Sequence, residues 1–82
     1  MENNWMYEIS PTQVARFESD CRYYSNEPVT AELVRNVLYA YGSELACRRI
    51  RDTYRHTDQS KVSFGFSGNL NTWFFGLTVE GL

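Results

Sequence analysis

Between residues 61 and 79 a large apolar side chain occupies every second position in two runs. Val62, Phe64 and Phe66 alternate with Lys61, Ser63 and Gly65, and Trp73, Phe75, Leu77 and Val79 alternate with Thr72, Phe74, Gly76 and Thr78. Successive side chains of a strand point to opposite faces, so a period of two sustained over both runs predicts two strands with one buried face. Gly68-Asn69 between them suits a two-residue hairpin loop, which pairs Phe66 with Asn71, Phe64 with Trp73 and Val62 with Phe75. Directly paired residues share a face, so this register sends every large side chain but Phe74 inward, and an odd-length loop would break the agreement. The outer face is then nearly bare around Phe74, with Gly65 and Gly76 beside it.

A hairpin with one apolar face needs a covering layer, and the rest of the chain predicts helices. Ser10-Pro11-Thr12-Gln13 has the order of a helix start, with a cap, a proline in the first turn and a glutamine three residues on. Val14, Phe17, Cys21 and Tyr24 then fall on one helical face, Glu18 and Arg22 pair at i,i+4, and Ser25-Asn26-Glu27-Pro28 ends the element. Leu33, Val34, Val37, Leu38 and Tyr41 form an apolar stripe for a second helix from Thr30 to Gly42. Ser43 caps a third, with Ala46, Cys47, Ile50 and Tyr54 inward. Trp5, Tyr7 and Ile9 alternate as a short strand before all of these. The expected order is β-α-α-α-β-β: an α+β domain spanning residues 1–82, with helices packed on one face of a small antiparallel sheet.

The chain has 82 residues, which suffices for one core. Its aromatic fraction of 16% speaks against disorder. The net charge of −2 hides an asymmetry. Residues 1–34 carry six acids against Arg16 and Arg22, whereas residues 35–61 carry five arginines and Lys61 against Glu44, Asp52 and Asp58. An acidic and a basic pole are expected where the fold keeps these segments apart. No apolar run is long enough for a membrane span, and Met-Glu-Asn-Asn-Trp lacks the basic and apolar regions of a secretion signal, so the expected compartment is the cytoplasm. Cys21 and Cys47 are too few for a disulfide framework.

The local anomaly is Cys47 to His56, which holds four of the seven arginines and the single histidine. On the third helix Arg48, Arg51 and Arg55 lie within roughly a quarter-turn of one another, a geometry that meets phosphates or a partner's carboxylates. Glu44 and Asp52, four residues to either side of Arg48, offset part of that charge as an ordinary solvated face would. Leu33 to Arg51 resembles a helix-turn-helix motif, with Gly42 at the turn and an arginine-bearing second helix. Arg48 and Arg51, however, stand where that motif usually has apolar residues, and the chain lacks the basic charge common in such domains. His56, Asp58 and Cys47 offer the residue types of a thiol enzyme, but both cysteines fall on apolar helical faces. Two cysteines and one histidine do not make a zinc ligand set with usual spacing. Gly65, Gly68 and Gly76 lack the Lys-Ser/Thr and the following helix of a phosphate loop. Neither a metal nor a cofactor is implied.

Arg35 and Tyr39, four apart on the second helix, and Phe74 on the outer face of the hairpin are secondary candidates, because exposed Arg and aromatic side chains supply interface contacts. The expected function is therefore non-catalytic protein binding through Arg48, Arg51 and Arg55, with Arg35, Tyr39 and Phe74 in support. In size, acidity and aromatic content the chain has the profile of inhibitors and adaptors encoded by phage and other mobile elements. The alternative is nucleic-acid binding through a helix-turn-helix-like segment, residues 33–55, using the same arginines on phosphate. A homodimer through the bare face or an edge of the hairpin also fits the pattern.

Overall fold

The computed structural model describes residues 11–79. The expected strand Trp5–Ile9 and the Ser10 cap lie outside the described residues. Helix α1 (Pro11–Ser25) is followed by strands β1 (Thr30–Val34) and β2 (Val37–Gly42), helix α2 (Glu44–Thr53), a short 3-10 turn (Gln59–Lys61), and strands β3 (Val62–Ser67) and β4 (Thr72–Thr78). The four strands form one antiparallel sheet in the order β1-β2-β4-β3, and the two helices pack on one of its faces. The α+β class and the helix-on-sheet layering agree with the expectation from sequence.

α1 and α2 form for the reasons read from their sequences. Phe17 and Cys21 of α1 are buried with Val14 and Tyr24 packed against the core, and Ala46, Cys47 and Ile50 of α2 are buried. The Glu18–Arg22 pair closes at 3.6 Å. α1 stops where Asn26 turns left-handed (φ 56°) and its N–H donates to the Arg22 carbonyl at 2.8 Å, an end that asparagine tolerates better than most residues. The Ser43 hydroxyl caps α2 by accepting the Ala46 N–H at 3.0 Å.

The second expected helix is instead the β1–β2 hairpin. Its pairs run from Thr30 with Tyr41 to Val34 with Val37, leaving Arg35-Asn36 as a two-residue turn. Arg35 carries the positive φ of 60° that a tight hairpin turn demands, at a strain an asparagine or glycine would lessen. The apolar residues of 31–41 satisfy both periods, because two short alternating runs separated by two residues also mark out one helical stripe. The tertiary structure chooses the strands, for Ala31, Leu33, Leu38 and Ala40 then join the core while Tyr39 and Tyr41 turn to the opposite face. Gly42 is not a helix stop but the last residue of β2. A Cβ there would come within 2.7 Å of Val29 Cγ1, so the glycine serves close packing.

The C-terminal hairpin forms with a register displaced by two residues. Phe66 pairs with Trp73, Phe64 with Phe75 and Val62 with Leu77, across a four-residue loop in which Asn71 takes the left-handed conformation (φ 54°). A shift of two preserves the face of every side chain, so the predicted inner set survives although each predicted partner is wrong. Phe75 is the centre of that set. It is fully buried, paired with Phe64 and with Ala40, and stacked on Tyr54 at 5.2 Å between ring centroids.

The outer face is less bare than the hairpin alone suggests, because β2 contributes two tyrosines to it. Tyr39 lies over Gly76, its cross-strand partner, and Phe74 lies over Gly65, its own. Each ring fills the space a missing side chain leaves and shields the backbone beneath it. Tyr39 stacks with Tyr41 at 6.0 Å and meets Phe74 edge-on at 5.8 Å, giving a continuous aromatic layer.

Candidate functional site

The six sequence-predicted site residues divide between the two faces of the sheet. Arg48, Arg51 and Arg55 stand on the helical side, Tyr39 and Phe74 belong to the aromatic layer on the other, and Arg35 occupies the β1–β2 turn. The expected Arg35–Tyr39 pair at helical spacing does not exist, since the segment that would carry it is a hairpin. The same hairpin removes the first helix of the helix-turn-helix reading: residues 33–41 run as two strands into the sheet, and only α2 remains.

On the helical side the arginines differ in what they touch. Arg48 donates twice to Glu44, at 2.9 and 2.7 Å from Nε and Nη2, which neutralises it locally. Arg49 turns the other way and donates to the Ser25 carbonyl at 2.7 Å, satisfying the C-terminal end of α1 and fastening the two helices. Arg51 lies over Phe64 of β3, with its guanidinium carbon 4.5 Å from the ring centroid. Arg55 lies beyond the α2 C-terminus and reaches His56 Nε2 at 3.4 Å. Among the described residues, the ion pairs are Arg22–Glu18 and Arg48–Glu44, so Arg51 and Arg55 carry charge that no carboxylate offsets at close range.

Sequence reading missed what lies beside these arginines. α2 packs mainly on β4 and less on β3, and the Phe66 end of β3 is left as an open shelf. Phe66 on this shelf is 51% exposed although its position is on the inner face, and Trp73 beside it is half-buried. Phe66 meets Trp73 edge-on at 5.7 Å, and Trp73 meets Phe64 at 5.6 Å. Phe64, Trp73 and Phe66 thus form an aromatic floor, over whose Phe64 end Arg51 of α2 stands as a cationic wall. The alternation that predicts an inward Phe66 is correct about its face. Helix width and placement, which the alternation does not encode, decide that this end of the face is left uncovered.

Two open grooves lie on the outer face around Tyr41, of about 460 and 320 Å³, and share Glu32, Tyr41 and Leu70. The Tyr41 hydroxyl donates to Glu32 Oε2 at 2.6 Å, and burial with this carboxylate raises the phenol well above its usual range. Glu32 thereby holds a neutral phenol in place between the two grooves.

The thiol-enzyme residues are not arranged for chemistry. Cys47 is fully buried, and burial pushes its thiol up to about 11, away from the thiolate a nucleophile needs. Asp58 caps the 3-10 turn by accepting from Ser60 N–H and hydroxyl at 3.0 and 2.9 Å, which holds its carboxyl below the usual value. Among the described residues no cluster of three or more His, Cys, Asp and Glu could hold a metal ion, and no helix is long and apolar enough to cross a membrane. No protein family, curated protein or solved structure matches this chain, and the site stands on its geometry alone.

Proposed function

We propose that this chain is a non-catalytic protein-binding module that grips an acidic partner between the α2 arginines and the exposed aromatic floor of β3 and β4, and works as an inhibitor or adaptor by occupying that partner's surface. The observation that carries the reading is the contiguity of Arg51, Phe64, Trp73 and Phe66, with Phe66 half in solvent. Arg, Trp and other aromatics are the residues on which binding energy concentrates at protein interfaces. An exposed Phe beside an unpaired Arg supplies both apolar burial and charge-assisted hydrogen bonds. Arg51 and Arg55 are the charge-bearing members; Arg48 contributes less because Glu44 already holds it.

The test is affinity capture from the native host with the wild-type chain and with Arg51→Glu/Arg55→Glu. The double variant is expected to lose at least tenfold in recovered partner while its denaturation midpoint changes by no more than about 1 kcal/mol, because a half-exposed cation over a ring contributes only about 0.5–1 kcal/mol. Undiminished capture by the folded variant would remove the arginine wall from the interface.

A further inference from the structure

Among the described residues the sheet has two edges, β1 and β3, and they are covered differently. Val79 N–H donates to the Asn36 carbonyl at 2.8 Å, which fixes the odd-numbered residues of β4 as those that bond toward β2. In an antiparallel ladder the backbone groups of one residue point to the same side and alternate along the strand. The even-numbered residues of β4 therefore bond to β3 through Ser63, Gly65 and Ser67, and the N–H and C=O groups of Phe64 and Phe66 face away from the sheet. The same alternation on β1 turns Ala31 and Leu33 outward, and there Glu18 Oε2 of α1 accepts the Ala31 N–H at 3.0 Å, occupying the start of that edge. Val62 N–H is taken by the Gln59 carbonyl, so the open stretch of the other edge is the one that carries the exposed Phe66. β3 contains no proline, lysine or bulge of the kind that blunts an edge strand.

We infer that the partner docks by strand addition: an extended, acidic segment of another protein pairs with β3 through Phe64 and Phe66, and lays alternate side chains on the Phe64–Trp73–Phe66 floor beside Arg51. The inference rests on the function proposed above and names the form of its ligand. Strand addition takes affinity from backbone hydrogen bonds and specificity from every second side chain, and here the second side chains meet an apolar floor and an unpaired cation. Charge decides against a second copy as the occupant. Pairing β3 with β3 of another copy would place two arginine walls side by side around the dyad, Arg51 facing Arg51, whereas an acidic strand neutralises the wall.

Peptides that alternate glutamate with valine or lysine with valine, eight residues long and blocked at both ends, test the inference on the full chain by amide NMR. The acidic peptide is expected to shift the Phe64 and Phe66 amides and to slow their hydrogen exchange at least tenfold, and the basic one to leave both unchanged. Phe66→Ala and Phe66→Pro separate side chain from backbone, since both lack the ring and only proline lacks the outward N–H. Binding should weaken at least fivefold further in Phe66→Pro than in Phe66→Ala, with circular dichroism showing both folded. Equal binding by those two variants, or no binding of the acidic peptide at millimolar concentration, overturns strand addition. Concentration-dependent protection of Phe64 and Phe66 without peptide would make a second copy the occupant and overturn it equally. The two proposals fail separately: loss of partner capture in Arg51→Glu/Arg55→Glu with equal capture by Phe66→Ala and Phe66→Pro keeps the arginine surface and removes the strand.

Discussion

Gly76 and Gly65 occupy equivalent places on the outer face, each beneath the ring of its cross-strand partner, yet they differ in what a methyl group would meet. A Cβ on Gly76 collides with Ser63 Oγ and comes within 3.1 Å of Tyr39, whereas one on Gly65 sits at 3.5 Å from the Phe74 ring, ordinary van der Waals contact. Gly76→Ala is therefore expected to cost about 1–3 kcal/mol through displacement of Tyr39 and Ser63, and Gly65→Ala to fall within ~0.5 kcal/mol of wild type. Chemical denaturation of the two variants checks this, and equal midpoints would show that Tyr39 does not pack down on the glycine. Neither requirement is legible in the sequence, where both positions read only as small residues on the outer face of a strand. Tyr39 and Phe74, expected as partner-binding residues, have rings engaged with those glycines and with each other, and Arg35 is committed to a turn.

At the scale of elements, local chemistry fixes the starts and ends better than the type. Ser43 was legible as an α2 cap in either environment, because a hydroxyl before an amphipathic run satisfies an orphan N–H whatever precedes it. Its hydroxyl also donates to Glu27 Oε1 at 2.7 Å, linking the cap to the segment after α1. Ser43→Ala should lower stability by about 1 kcal/mol, and Ser43→Asp, which keeps an acceptor but sets a like charge beside Glu27, should recover less than half of that loss. Full recovery by aspartate would show that the Glu27 contact is immaterial. The segment 30–42 is the contrary case. Its apolar residues fit a helical stripe and two strands alike, and the deciding term is non-local: Leu38 and Ala40 pair with Leu77 and Phe75 of β4, thirty-odd residues away in sequence. Placing those residues on a helix would leave β4 without its neighbour on that side.

Across the whole molecule the charge asymmetry of the sequence becomes a gradient over the sheet. Glu18 and Glu32 lie at the β1 edge and Arg51 stands over β3, so acidic and basic ends are separated by the sheet's width. Beneath the helices, α1 and α2 bury Cys21 and Cys47 completely, and burial raises the thiols to about 12 and about 11 from an ordinary value near 9. Because the folded-state values are raised, the folded chain holds these protons more tightly than the unfolded one. The associated stability is fully present below pH 9 and is lost as the pH rises toward 11–12. The urea midpoint should stay level from pH 7 to 8.5 and fall by an amount equivalent to roughly 2 kcal/mol by pH 10, with neither thiol reacting with iodoacetamide until the chain unfolds. Rapid alkylation of the folded chain at pH 8 would contradict this burial.

The sequence by itself determined the properties that depend on short-range pattern: which faces of α1, α2, β3 and β4 are apolar, where α2 begins, that both cysteines turn to the core, and that four of seven arginines fall between Cys47 and His56. Period and capping are local physics, and neighbouring residues carry them. Only the tertiary structure decided that residues 30–42 are strands, that the β3–β4 register lies two residues from the tightest turn, and that the Phe66 end of β3 stays open. Each of these follows from competition among distant segments for one buried face. α2 meets β3 less than it meets β4, and among the described residues the Phe66 end of β3 brings an exposed ring and an open backbone edge near Arg51.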